Sequence, residues 1–163
     1  MSSVLKWVVE AEQLNDAAVG RPWRVVSKVS REAIDLFDRH YSRQTPGGEV
    51  GPPGRKLVLV TESGKALWCS HYPNPKLAMD KLDSYRCVVF RNEGDLISSF
   101  LIRQAVRATE EVWGSAPKDG WVTWVDTSKV ESENPGYCFK KAGWWLDRDW
   151  THRRGRLVRL RYP

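Results

Sequence analysis

Apolar positions follow two rhythms along this chain, and the switches between them outline its elements. Trp23 to Val29 alternates like a strand. Ser30 then opens a helical pattern with Ile34, Phe37 and Tyr41 as its apolar stripe, ending near His40-Tyr41-Ser42-Arg43. Residues 44–55 hold too many Pro and Gly for any regular element and predict a long loop over a site. Lys56 to Glu62 is an apolar run of the kind buried on both faces. Ser63-Gly64 turns it into a hairpin partner, Lys65 to Tyr72. A polar connector follows, with a helical turn expected at Leu77 to Leu82, and then a central strand at Tyr85–Phe90. Ile97, Leu101, Ala105, Ala108 and Val112 recur at spacings of three and four and predict a long helix, with Asp95 as its N-cap. Trp121 to Asp126 is another strand. Tyr137 to Ala142, closed by Gly143, is a short helix. Trp144 to Trp150 and Arg156 to Tyr162 pair around Arg154-Gly155. The order β, α, β, β, β, α, β, α, β, β predicts an α/β protein of the α+β kind, with a mixed, mostly antiparallel central sheet flanked by helices.

Length adds that 163 residues form one domain, with residues 1–22 as an N-terminal extension. The 26 Lys and Arg exceed the 20 Asp and Glu, a balance that favours anionic partners. Cys69, Cys87 and Cys138 are far apart in apolar settings and read as free thiols of a reducing compartment. No apolar run is long enough for a membrane span and the N-terminus does not read as a signal peptide, so a cytoplasmic location is expected.

The residues that can carry chemistry cluster at element ends. His40, Tyr41, Asp126 and Tyr137 all fall there, where an open sheet hosts ligands. Asp126 is the expected proton acceptor or orienting acid, with His40 able to share that role; Tyr41 and Tyr137 can donate a proton or hold a substrate. His40, Tyr41 and Asp126 also carry donors that iron accepts, and Cys69-Ser70-His71 is a weaker metal candidate. Gly94 to Ser99 leads into a helix N-terminus, whose free N–H groups attract phosphate. Arg153, Arg154, Arg156 and Arg159 crowd the last stretch and suit phosphate oxygens, with Arg43 and Arg55 extending the patch. Each feature also has a plain reading: Tyr41 as core, His40 as a helix C-cap, Asp126 as a turn cap, the arginines as a solvated edge.

The element order resembles that of the GNAT family of N-acetyltransferases. Arg91-Asn92-Glu93-Gly94-Asp95-Leu96 is similar to the first half of that family's pyrophosphate loop, although Leu96 stands where Gly or Ala is usual and Asp95 adds a negative charge. Asn134, Tyr137, Phe139 and Gly143-Trp144 resemble the family's last helix. The resemblance implies acetyl-CoA or a related acyl donor held by Phe90, Arg91, Gly94, Ile97, Ser98, Ser99, Asn134 and Phe139, with Tyr137 protonating the leaving sulfur. His40-Tyr41-Ser42-Arg43, the Gly/Pro loop, Phe90-Arg91-Asn92-Glu93, Ser98-Ser99 and Asp126 before Pro135-Gly136-Tyr137-Cys138-Phe139 further resemble the Mom-like DNA-modification proteins of phages and prophages. That resemblance implies double-stranded DNA as partner, modification of the adenine N6 amine by a carbamoylmethyl or related group against restriction, and iron in the site. An ordinary N-acetyltransferase and a non-enzymatic DNA-binding module are the alternatives.

Overall fold

The computed structural model describes residues 21–130 and 133–163; most of the expected N-terminal extension, residues 1–20, lies outside them. The elements are β1 (Trp23–Val26), α1 (Arg31–Asp38), β2 (Arg55–Thr61), β3 (Ala66–Tyr72), β4 (Tyr85–Asn92), α2 (Ser98–Trp113), β5 (Trp121–Asp126), α3 (Tyr137–Lys141), β6 (Trp145–Leu146) and β7 (Leu157–Tyr162). The fold is α+β, and its strands form a seven-stranded sheet in the order β1-β2-β3-β4-β5-β7-β6. Neighbours are antiparallel except β4 and β5, which are joined through α2 and run parallel.

Alternation along the strands makes two cores. Leu57, Leu59, Ala66, Trp68, Tyr85 and Cys87 face α2 and pack with Leu101, Ile102, Ala105 and Trp121. Val58, Val60, Leu67, Cys69 and Val89 face the other way, against Ala33, Ile34, Leu36 and Phe37 of α1 and against Val50. The Gly/Pro loop therefore has structural work: it carries fully buried Val50 over the sheet face. Gly51 follows at φ +77°, where an added Cβ would lie 2.9 Å from the Cys69 sulfur. On the α2 side Trp68 is wholly buried, and its indole N–H donates to Ser70 Oγ at 2.7 Å. Ser70 lies 2.7 Å from Thr109 Oγ1, whose hydroxyl donates to the Ala105 carbonyl.

One irregularity organises the rest. Cys69 pairs with Val89 but Ser70 pairs with Cys87, so Val88 is an extra residue bulging from β4. A bulge bends its strand and swaps the faces of the residues beyond it. Cys87 thus faces α2, and so does Phe90, three residues later, while Val89 turns to the α1 side. The pairing of β4 with β5 covers Tyr85–Trp121, Arg86–Val122 and Cys87–Thr123 and stops where the bulge begins.

Several expectations change in detail. Asp95 does not cap α2: the N-cap is Ile97, without a side-chain hydrogen bond. Asn92 takes over the local organisation. Its Oδ1 accepts the Gly94 N–H, and its Nδ2 reaches the Leu96 carbonyl and Ser98 Oγ. Residues 77–82 form turns and no helix. Strand β1 ends at Val26, and β6 is confined to Trp145 and Leu146, shorter than expected. Tyr41 leaves the stripe of α1 and is 42% exposed, so it is not core.

Candidate functional site

Past Cys87 and Thr123 the β5-facing edge of β4 has no strand partner, and the two strands diverge around a cavity of about 580 Å³. Its floor is Cys87 and Thr123, tied by the Thr123 hydroxyl donating to the Cys87 carbonyl at 2.8 Å. His40, Tyr41 and Gln44 wall it from the α1 side, Gly136, Cys138 and Phe139 from α3, and Val88, Phe90, Trp124 and Asp126 from the strands. Both faces of the sheet therefore contribute walls to it.

Three of the four expected catalytic residues converge here. The His40 and Tyr41 rings stack at 4.4 Å, and the Tyr41 hydroxyl lies 3.5 Å from the Asp126 amide nitrogen. His40 Nδ1 accepts the Ser42 N–H at 3.1 Å. Burial pushes the imidazole down to about 4, helped by the Arg91 charge and resisted by the Phe90 carbonyl. It is neutral at pH 7. Burial raises the Tyr41 phenol, so its proton stays on. Asp126 accepts from the Ser128 amide at 2.9 Å and the Ser128 hydroxyl at 2.6 Å. These bonds, with Arg156 and Lys129 nearby, hold its carboxyl below the usual range. Among the described residues Asp126 is the only carboxylate in the lining. Tyr137 is outside: it is 53% exposed, with the Lys141 ammonium 5.9 Å from its ring. Tyr41, not Tyr137, is the tyrosine that lines the cavity.

The expected donor-holding residues divide. Phe90 and Phe139 line the cavity and pack on each other at 6.0 Å. Ser98 and Ser99 open α2, whose first-turn N–H groups no capping side chain claims, and Ile97 is 72% exposed beside them. At Gly94 an added Cβ would sit tightly, 3.2 Å from the Lys65 Cβ. Arg91 is otherwise engaged. It pairs with Glu93 and donates to the Arg39 carbonyl at 2.7 Å. Arg39 grips the same carboxylate at 2.8 and 2.9 Å, and Glu93 is pulled down to about 2, chiefly by Arg39. Asn134 accepts from the Lys140 ammonium at 2.7 Å, away from the cavity.

An iron site does not fit them. His40 Nδ1 is committed to Ser42, the rest of its ring faces the Phe90 carbonyl, and Asp126 is turned to Ser128. Among the described residues no three His, Cys, Asp or Glu side chains converge. At Cys69-Ser70-His71, His71 Nε2 lies 3.1 Å from the Pro53 carbonyl and Cys69 is in the α1 core.

The arginines also separate. Arg153, Arg154 and Arg156 are exposed on the β6–β7 turn, whose Arg156 carbonyl accepts from Thr127 beside Asp126. Arg159 is held by Asp147 at 2.7 Å and its side chain is 11% exposed. Arg43 is 6% exposed and spends its donors on Asp38, Gly48 and Glu49, bracing the segment that carries Tyr41. Arg55 stacks 4.9 Å from Trp113 at the sheet end opposite the cavity. Arg159 and Arg55 are thus engaged away from the cavity, whereas Arg43 lines it while its donors are taken up internally.

Cys87, Thr123, Trp124, Cys138 and Gln44 were not expected in the site. They meet only through tertiary packing, and nothing in the local sequence marks the bulge at Val88. No helix among the described residues is long and apolar enough to cross a membrane. The chain matches no protein-family model, no curated protein and no solved structure.

Proposed function

We propose that the protein is an acyl-type transferase of GNAT-like architecture acting on an amine of nucleic acid, in the manner of the Mom-like resemblance, with adenine N6 as the acceptor. The observation that carries this reading is the cavity between parted β4 and β5, walled by His40, Tyr41 and Asp126 and lined from both faces. The parallel β4–β5 pair and the α2 N-terminus support a thioester donor, acetyl-CoA or a relative, which would supply an activated carbonyl.

An exocyclic base amine is a weak nucleophile because its lone pair is shared with the ring. Ionised Asp126 can accept one of its N–H bonds and raise electron density on nitrogen. A weakly basic carboxylate suffices, since the nitrogen becomes strongly acidic once it has bonded to carbon. The Tyr41 O–H, which lines the cavity, would protonate the departing sulfur. Neutral His40 packs the Tyr41 ring and adds no charge to a lining that already holds Arg43 and Lys129. Arg153, Arg154 and Arg156 beside Asp126 would bind the phosphates.

Nucleoside mass spectrometry on plasmid DNA from cells expressing the protein tests this. A new adenosine adduct is expected in the wild type and none with Asp126→Ala. Stability of that variant should change by less than about 1 kcal/mol, because Asp126 bonds only its own turn. Normal modification by Asp126→Ala would overturn the role. One observation favours a non-enzymatic nucleic-acid module instead: Arg91 is locked to Glu93, with Asp95 close by in the loop. Saturable CoA binding by calorimetry would exclude it.

A further inference from the structure

The α1 face of the sheet is covered unevenly. Helix α1 and Val50 pack on side chains of β2, β3 and β4. On the same face, β5, β7 and β6 present Trp124, Arg159, Arg161 and Trp145. The register sets Trp124 opposite Arg159 and Trp145 opposite Arg161. Guanidinium and indole planes alternate across it. Arg86 lies 5.4 Å from the Trp124 ring, Arg159 lies 5.3 Å from Trp150, and Trp150 lies near-parallel to His152 at 6.2 Å.

The two kinds of arginine here differ in use. Arg159 is pinned edge-on by Asp147, so it props Trp150 and does not reach outward. Arg148, Arg153, Arg154 and Arg156 are exposed and make no ion pair among the described residues. Trp145, on the sheet's outermost strand, is 49% exposed. Trp124 belongs both to this surface and to the cavity wall. Flat apolar rings flanked by the exposed cations of the turn complement a polyanion that itself carries flat rings.

We infer that this face is a platform for unpaired nucleotides. Bases stack on Trp145 and Trp150, the turn arginines hold the phosphates, and one base is led past Trp124 into the cavity. In a duplex the base faces are already stacked on one another and offer nothing to an indole, so the surface selects single strands or extruded bases. The inference rests on the nucleic-acid reading above and narrows its substrate.

Fluorescence anisotropy with short labelled oligonucleotides tests it: single-stranded DNA, single-stranded RNA and the matching duplex, with heparin as a polyanion lacking bases. Single strands should bind more tightly than duplex. Trp145→Ala and Trp150→Ala should each weaken single-strand binding about ten-fold and leave heparin binding unchanged, because one stacked base is lost. Arg153→Ala with Arg154→Ala should weaken all four ligands. The DNA and RNA arms decide whether the sugar is read. Trp145 lies at the edge and half in solvent, so its replacement keeps the fold, as circular dichroism would verify. Duplex bound as tightly as single strands, or both Trp variants binding like wild type, would overturn the platform. DNA modification without single-strand preference would retain the transferase and remove the platform. Single-strand preference without modification would do the reverse.

Discussion

His40 is held with one ring nitrogen accepting from Ser42 and little water around it, so charging it is costly. Its folded value of about 4 lies below the ordinary 6.5. The unfolded chain therefore takes a proton that the folded one refuses. The stabilising contribution is complete above pH 6.5 and falls as pH drops toward 4. A proton NMR titration should find the His40 ring neutral at pH 5; a midpoint near 6.5 would contradict the packing. Ser70 makes a second prediction. It accepts from Trp68 and bonds Thr109, all buried. Ser70→Ala leaves the buried Trp68 N–H without its acceptor, while Thr109 keeps its bond to Ala105, and should cost about 1–3 kcal/mol in urea unfolding. Sequence singled out His40, Tyr41 and Asp126 because their chemistry falls at element ends, where an open sheet hosts ligands. It assigned Arg43 and Arg159 to the surface because charge pattern does not reveal a buried partner such as Asp38 or Asp147.

At the scale of elements, periodicity located α1, α2, β2, β3, β5 and β7 closely, since each buries one stripe or both faces. It failed where a boundary depends on contacts distant in the chain. The start of α2 is set by Asn92 gathering residues 94–98, so Asp95, the better capping residue by type, is passed over. The Val88 bulge has no sequence signature because Val suits both a regular ladder and a bulge. The entry to β5 shows the tolerance of such junctions. Gly120 has φ +67°, and a Cβ there would collide with the Tyr162 carbonyl oxygen of β7. Gly120→Ala should cost at least about 1–3 kcal/mol from the backbone alone, and thermal unfolding would register it.

Across the molecule, the strand order and the two cores follow from apolar patterning, whereas the cavity follows from a failure of pairing that patterning cannot express. The sheet is two antiparallel ribbons, β1 to β4 and β5 to β6, sewn together by three residue pairs at one end. A seam so short leaves the far ends of the ribbons free to breathe, and the width of the gap becomes a soft coordinate of the whole fold. Amide protons on the gap-facing edges of residues 89–92 and 124–126 should exchange with solvent faster than those at Tyr85–Cys87. Anything filling the gap then acts as the missing stitches, slowing that exchange and raising the melting temperature in one motion.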